Sequence, residues 1–203
     1  MSETESLSEN IRGTGIDAAA ATIGELQQAL TSGALTSAEF TAFYLARIER
    51  LNPRLRAVVT VSQSAAAEAQ ASDNARTGGQ PGRPLEGIPV LIKDNIAVEG
   101  MPATAGSPAL RDAESGDAFL VGRLREAGAV VLGKANLSEW ANFRSTRSSS
   151  GWSALGGQAV NPYGTGRNPS GSSSGSAVAV AAGLAPLAVG SETDGSISTK
   201  SRR

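Results

Sequence analysis

Two serine-bearing turns, each punctuated by glycine, flank one short apolar segment late in this chain. The first reads Ser-Gly-Ser-Ser-Ser-Gly-Ser over 170–176, and the second reads Glu-Thr-Asp-Gly-Ser over 192–196. The chain has no histidine and no cysteine. Since a serine nucleophile requires a base, a hydrolase built from these turns would need lysine, and the chain contains only Lys93, Lys134 and Lys200.

Composition narrows the possible functions. A length of 203 residues fits one domain, and aromatic residues make up only 4%, so we expect a core of Ala, Val, Leu and Ile. The net charge of −1 and the absence of a basic stripe argue against nucleic-acid binding. Without His or Cys, only carboxylates and carbonyls remain as metal ligands, so we expect no zinc site and no metal or organic cofactor.

The first residues of the chain bear on where the protein is located in the cell. Residues 1–6 are polar and acidic and lack the basic start and apolar run of a signal peptide. No apolar run approaches the roughly 18 residues that a membrane-spanning helix needs. We therefore predict a cytoplasmic protein without membrane association, and the sequence leaves its oligomeric state open.

Capping boxes predict two helices. The pairs Thr22-x-x-Glu25 and Thr36-x-x-Glu39 have the spacing in which a threonine and a glutamate cap each other's backbone N–H groups. We expect Pro53 to end the second helix. Residues 1–21 show no periodicity and predict a flexible N-terminal arm.

The following segments alternate between strand and helix patterns. Strands are predicted over 57–61, 87–92 and 128–133. A helix is predicted over 62–76. A second is predicted to begin at a cap by Asp117 and run to Ala127, and a third to follow a cap at Asn136. This order predicts an α/β domain with a mixed or parallel sheet flanked by helices. Lys93 and Lys134 would lie just beyond strand ends, where such folds bind ligands.

Lysine is scarce beside arginine, at 3 against 15 residues. Arginine stays charged, whereas a buried lysine can lose its proton and act as a base. Lys93 and Lys134 are therefore candidate bases, although Lys134 fits a structural role better and Lys93 could instead form an ordinary ion pair with Asp94.

Three separated motifs resemble the amidase signature family. They are Gly-Ser-Ser-x-Gly-Ser-Ala over 171–177, Thr-Asp-Gly-Ser-Ile over 193–197 and Gly-Ile-Pro-Val-Leu-Ile-Lys-Asp-Asn over 87–95. The segments 137–144, 150–153 and 161–163 are most similar to bacterial peptide amidases. The resemblance implies the amidase signature fold, with its mixed sheet flanked by helices, and hydrolysis of a carboxamide, such as a peptide C-terminal amide, to acid and ammonia.

The resemblance also assigns roles. Ser196 would be the nucleophile, Ser172 a bridging serine held in a cis peptide, and Lys93 the base. The backbone N–H groups of Thr193, Asp194, Gly195 and Ser196 would form the oxyanion hole. Trp152, Ser173 and Tyr163 are candidate substrate-binding residues; a core position for the two aromatics and a turn-supporting role for Ser173 remain open.

The family domain is more than twice as long as this chain. The resemblance therefore makes 22–197 the N-terminal part of an amidase domain, truncated after the nucleophile motif, and 198–203 an atypical tail. We expect impaired activity in the chain alone. Three alternatives stay open. The first is the glutaminase (A-type) subunit of a tRNA-dependent amidotransferase, which would require partner subunits. The second is a phosphate-binding α/β module using 170–176, although this loop lacks the Gly-Lys-Ser/Thr ending of a P-loop, and the third is an inactive fragment with no function of its own.

Overall fold

The computed structural model describes residues 8–11, 13–164 and 166–198. The helices are α1 (Ile23–Ser32), α2 (Ser37–Leu55), α3 (Ala65–Thr77), α4 (Phe119–Glu126) and α5 (Ser174–Ala181). The strands are β1 (Val58–Val61), β2 (Pro89–Lys93), β3 (Val130–Ala135), β4 (Trp152–Ser153), β5 (Gly157–Gln158) and β6 (Leu187–Val189). Short 3₁₀ turns cover Pro108–Leu110 and Glu139–Asn142.

The predicted sheet is mixed. Its strand order is β1-β3-β2-β6, with β2 parallel to both β3 and β6, and β1 antiparallel to β3. β4 and β5 form a separate antiparallel hairpin. The α/β fold class with a mixed sheet flanked by helices is confirmed.

Both faces of the sheet are covered by apolar side chains. Side chains alternate along a strand, so Leu91 joins the cluster built by α1, α2, α3 and α5, while Val90 and Ile92 join a second cluster with Val121 of α4. All five residues of β2 are buried. The last residue of this strand, Lys93, therefore lies in the interior.

Both capping boxes form as predicted. The Thr22 hydroxyl accepts from the backbone of Glu25, whose carboxylate accepts from the backbone of Thr22, and the pair Thr36 and Glu39 repeats the arrangement. Capping satisfies backbone donors that a helix start leaves without intrahelical partners. The two helix starts are therefore fixed by residues three positions apart.

The prediction that Pro53 ends α2 is wrong. The helix continues to Leu55, and the backbone N–H of Arg56 donates to the carbonyl of Asn52 at its end. Proline lacks a backbone N–H, but in the last turn only one helical bond is lost. The Asn52 side chain then accepts from the N–H groups of Ala57 and Val58 and directs the chain into β1.

The predicted cap at Asp117 is also wrong. Helix α4 follows Ala118 without a side-chain cap. Asp117 instead accepts a hydrogen bond from the Glu99 N–H and forms an ion pair with Arg125 at 2.9 Å. The Asp117 carboxylate is thus used for an ion pair and not for capping α4.

The described part of the predicted N-terminal arm packs on α2. Ile11 is fully buried, and Glu9 forms ion pairs with Arg47 and Arg50. Residues 1–7 and 199–203 lie outside the described residues, so the boundaries of the arm and of the tail stay predictions. Among the described residues, no helix is both long and apolar enough to cross a membrane.

Candidate active site

The two buried lysines project from neighbouring strands onto opposite faces of the sheet. Lys93 is the last residue of β2 and Lys134 lies within β3, so neither follows its strand as predicted. In the parallel register Lys93 pairs with Ala135, and Lys134 pairs with Ile92. Since paired residues share a face and neighbours alternate, the lysines point to opposite sides.

Lys93 is surrounded by oxygen atoms from serine residues. Its Nζ donates to Ser172 Oγ at 2.9 Å, Ser173 Oγ at 3.0 Å and Ser191 Oγ at 2.8 Å, and also approaches the Ser191 carbonyl at 3.3 Å. Burial lowers the pKa of Lys93 to about 8, although the charge of Glu192 acts in the opposite direction. A lysine with this pKa exists as a mixture of charged and neutral forms near neutral pH.

Ser172 lies between Lys93 and Ser196. The Oγ atoms of Ser172 and Ser196 are 3.0 Å apart, and the peptide bond from Gly171 to Ser172 is cis. Ser172 is 1% exposed and Ser196 is 8% exposed. A hydroxyl group donates one hydrogen bond while accepting others. Strand β2, the turn before α5 and the turn after β6 thus supply one continuous chain of polar contacts.

Ser173 joins the two serine turns. Its N–H donates to the Ser196 carbonyl at 3.2 Å, and its hydroxyl donates to the Ser191 carbonyl at 3.0 Å. The same hydroxyl accepts from the Ser191 N–H at 3.2 Å and from Lys93. The structure therefore places Ser173 within the site, buried behind Ser172.

The turn that carries Ser196 is closed by Glu192. The Glu192 carboxylate accepts from the N–H groups of Ile197 and Ser198, and these backbone hydrogen bonds, led by that of Ser198, lower its pKa. Among the described residues, the N–H groups of Thr193, Asp194 and Ser196 have no hydrogen-bond acceptor. These donors are available to a ligand, and the Asp194 side chain is exposed.

Lys134 has a different environment. Its Nζ donates to the Pro102 carbonyl at 3.0 Å and lies 3.7 Å from Asp94 Oδ1. The other Asp94 oxygen accepts from the Gly106 N–H and from the Thr104 hydroxyl. Burial lowers the pKa of Lys134 and raises the pKa of Asp94, and their mutual attraction opposes both changes. Asp94 therefore pairs with Lys134 and not with Lys93.

The Asn136 side chain makes hydrogen bonds that its sequence pattern does not predict. It caps no helix. Its Nδ2 donates to the carbonyls of Arg56 and Gly157, and its Oδ1 accepts from the Leu137 N–H and the Ser153 hydroxyl. No α-helix follows, because three successive residues of the next turn, Trp140, Ala141 and Asn142, have positive φ.

Gly175 lets the first serine turn approach Asn136. The Gly175 N–H donates to the Asn136 carbonyl at 2.8 Å. A Cβ at Gly175 would lie 2.3 Å from that oxygen and 2.4 Å from the Ala57 carbonyl oxygen, so only glycine fits. The start of α5, and with it Ser172 and Ser173, is thereby fixed against the end of β3.

The two aromatic candidates lie in different environments. Tyr163 is 81% exposed in a loop. Trp152 is partly buried, with the Arg144 guanidinium 4.9 Å above its ring, and it borders a cavity of about 400 Å³. A larger cavity of about 480 Å³ lies between α1, α3 and the loop over 80–86 and contacts none of the predicted site residues.

The predicted phosphate loop uses many of its polar groups internally. The Ser173 and Gly175 N–H groups and the Ser174 and Ser176 hydroxyls all donate within the protein. We therefore do not propose phosphate binding. Within 8–11, 13–164 and 166–198, no cluster of three or more acidic, His or Cys residues could hold a metal ion.

The amidase family model matches residues 39–199. The chain belongs to the amidase family. It is similar to native peptide amidase from Stenotrophomonas maltophilia, with 51% identity, a TM-score of 0.88 and coverage of 94% of this chain and 39% of that structure. The amidase signature fold expected from the motifs is thus confirmed.

Curated relatives give the same family. A probable amidase of Arabidopsis thaliana is 47% identical over 181 residues, covering 87% of this chain and 35% of the relative. The A-type subunit of the glutamyl-tRNA(Gln) amidotransferase of Azoarcus sp. is 43% identical over 178 residues, covering 87% and 36%. The chain spans 31% to 36% of the length of the curated relatives it matches.

Proposed function

We propose that this site hydrolyses a carboxamide to a carboxylic acid and ammonia, with Ser196 as nucleophile, Ser172 as bridging serine and Lys93 as base. The observation that carries the proposal is the continuous chain of contacts of 2.9 and 3.0 Å from Lys93 through Ser172 to Ser196. The absence of histidine and cysteine from the sequence leaves no competing base or nucleophile of those types.

The protonation state of Lys93 sets the direction of the hydrogen bonds. When Lys93 is charged, it donates to Ser172, and Ser172 donates to Ser196. When Lys93 is neutral, both bonds reverse, so that Ser196 donates to Ser172 and Ser172 donates to Lys93. Only the neutral form can accept a proton, and burial makes this form accessible near pH 8.

The chemical steps follow from this reversal. Ser196 Oγ bonds to the amide carbon while its proton passes to Ser172, and the proton of Ser172 passes to Lys93. The carbonyl electron pair moves to oxygen. Lys93 then returns a proton through Ser172 to the amide nitrogen, the C–N bond breaks and ammonia leaves. Water attacks the resulting ester of Ser196 by the same route.

Backbone N–H groups would stabilise the negative oxygen of the intermediate. The N–H groups of Thr193, Asp194 and Ser196 have no acceptor among the described residues, and Gly195 has a positive φ of 73° that folds the turn. Donors fixed before the reaction contribute strongly to catalysis, since one such donor is worth about 10²–10³-fold in kcat. We assign the oxyanion hole to the N–H groups of Thr193, Asp194 and Ser196, because the predicted fourth donor, the Gly195 N–H, is engaged by the Glu192 carboxylate.

We propose a peptide C-terminal amide as the substrate. The support is the 51% identity with the Stenotrophomonas peptide amidase. The 43% identity with the Azoarcus amidotransferase protein favours a second candidate, release of ammonia from glutamine in a complex with partner subunits. Ammonia release from an amidated peptide, compared with that from glutamine at equal concentration, separates the two.

A serine-directed probe tests the site without requiring a complete acyl pocket. A fluorophosphonate should lose fluoride and form a phosphorus–oxygen bond at Ser196, located by peptide mass spectrometry. Labelling should disappear in Ser196→Ala and persist in Ser198→Ala, a control in the same turn. Equal labelling of wild type and Ser196→Ala would refute the assignment of the nucleophile.

A further inference from the structure

A basic cavity with an aromatic wall adjoins the segment that holds the Ser172 turn. We propose that it is a second subsite, which binds a carboxylate carried by the amide substrate away from the amide that reacts. The cavity of about 400 Å³ is bordered by Glu139, Arg144, Arg147, Ser148, Ser149 and Trp152, and we call it the Arg/Trp cavity. The inference rests on the proposed function, because it describes another part of the same substrate.

The charge balance of the Arg/Trp cavity favours an anion. Glu139 is 8% exposed, and its carboxylate is already engaged by Arg144 Nε at 3.0 Å and by the Ala154 N–H at 2.7 Å. Arg147 is exposed and forms no ion pair with any described carboxylate. One arginine therefore neutralises the glutamate, and the other leaves a net positive charge at the cavity.

Trp152 holds the Arg144 guanidinium in a defined orientation. The guanidinium carbon lies 4.9 Å from the centre of the indole ring, within the range of a cation–π contact. Among the described groups only Nε of Arg144 has an acceptor, so the Nη groups remain for a ligand. A guanidinium fixed in this way can bind a carboxylate through two parallel hydrogen bonds.

The Arg/Trp cavity is connected to the catalytic turn by short contacts. Asn142 Nδ2 donates to Ser150 Oγ at 3.1 Å, and Ser150 packs against Gly171, where an added Cβ would lie 3.4 Å from Ser150 Cβ. The Ser138 N–H donates to the Ser172 carbonyl at 3.0 Å. The segment 138–152 thus contacts the Ser172 turn on one side and borders the cavity on the other.

Trp152 itself supplies the signal for a binding test. The chain has two tryptophans, so Trp140→Phe leaves Trp152 as the only one, and Ser196→Ala prevents turnover. Two probes of equal size differ by one charge: acetyl-Glu-Ala-Ala-amide and acetyl-Gln-Ala-Ala-amide. We expect a saturable change in Trp152 fluorescence, with half-saturation by the acidic peptide at a concentration at least about tenfold lower, as one charge-assisted hydrogen bond would give.

Variants of Arg147 decide whether the cavity causes the preference. Arg147→Gln should abolish the difference between the two peptides, and Arg147→Lys should keep part of it. Arg111→Gln, which removes an exposed arginine outside the cavity, should leave it unchanged. Equal binding of both peptides, no saturable response, or a preference that survives Arg147→Gln would each overturn the proposal.

A third probe distinguishes the source of the carboxylate. Tighter binding of L-glutamine than of the acidic peptide would assign the cavity to the α-carboxylate of a free amino acid, and the reverse would assign it to an acidic side chain. Binding is measured in Ser196→Ala, so the result does not depend on hydrolysis. If the subsite proposal fails, the carboxylate preference disappears but fluorophosphonate still labels Ser196 in the parent chain. If the proposed function fails, labelling is absent but the carboxylate preference remains.

Discussion

Lys93 and Lys134 occupy adjacent strands at equal depth, but different partners surround them. Both are fully buried. Lys93 Nζ faces the hydroxyls of Ser172, Ser173 and Ser191, whereas Lys134 Nζ lies 3.7 Å from the carboxylate of Asp94. Burial lowers the pKa of both amines. Within the described part of the chain, a buried carboxylate compensates the charge of Lys134 but not that of Lys93.

This contrast shows how one fold can use the same side chain in two ways. A hydroxyl group stabilises a charged or a neutral amine, because it can donate or accept. A carboxylate stabilises the charged amine alone. The sheet therefore separates a lysine that can exchange protons, on the face of α5, from a lysine that anchors the loop over 102–106 on the other face.

The largest expected effect comes from removing the proposed base. Lys93→Met should lower the rate of Ser196 labelling by about 10²–10⁴-fold, the usual contribution of a positioned general base. Its free energy of unfolding should stay equal or increase, because the variant no longer buries an amine without a carboxylate partner. Urea unfolding followed by circular dichroism gives the second quantity; a large loss of stability would contradict the contrast.

Breaking the ion pair on the opposite face should affect stability instead. Lys134→Met leaves Asp94 buried without its partner and should reduce the free energy of unfolding by about 3–5 kcal/mol. Labelling of the folded fraction should persist. The double variant Asp94→Asn with Lys134→Met should recover part of the stability in the same urea experiment. If its loss of unfolding free energy equals the sum of the losses in the two single variants, the two residues are not coupled.

The pH dependence of labelling sharpens the comparison further. Since burial lowers the pKa of Lys93 to about 8, the neutral, proton-accepting form decreases about tenfold per pH unit below that value and predominates above it. The labelling rate should therefore rise with pH and level off above about 8. Between about pH 8 and the ordinary lysine pKa, Lys93 binds fewer protons in the folded state than in the unfolded state. The contribution of Lys93 to the free energy of unfolding therefore increases with pH over this range. A flat rate profile from pH 6 to 10 would rule out Lys93 as the base.

The smallest expected effect concerns Glu192. Its charge raises the pKa of Lys93 against the larger effect of burial. Glu192→Gln keeps an acceptor for the N–H groups of Ile197 and Ser198 but removes the charge, so the rising limb of the labelling profile should move slightly toward lower pH. Glu126→Gln, at an exposed position on α4, provides a control with the same charge change. Movement toward higher pH would contradict the electrostatic assignment.

Patterns between near neighbours predicted the local structure well. The capping boxes at Thr22 and Thr36 involve residues three positions apart, and both form. The alternation of strands and helices predicted the mixed sheet. Asp117 and Asn136 failed as caps because their side chains bind other partners. The Asp117 carboxylate pairs with Arg125, and the Asn136 oxygen accepts from the Ser153 hydroxyl while its Nδ2 donates to the carbonyls of Arg56 and Gly157.

The site required information that periodicity does not contain. Lys93, Ser172 and Ser196 are separated by 79 and 24 positions, so only the motifs shared with the amidase signature family suggested that they meet. The pairing of Asp94 with Lys134 has no sequence signal beyond strand alternation. Glu139 and Arg144 meet beside Trp152. They lie on either side of three residues with positive φ, in a segment that the sequence predicted as helix.

The hydrogen bond from the Ser173 N–H to the Ser196 carbonyl has a consequence for sequence variation. It joins two backbone groups, so every residue except proline at position 173 keeps the donor. The side chain at position 173 can therefore be exchanged without loss of this backbone hydrogen bond, whereas Gly175 in the same turn has no room for a Cβ. The backbone holds positions 172 and 196 close together, so a new nucleophilic side chain introduced at one of them would lie near the side chain at the other.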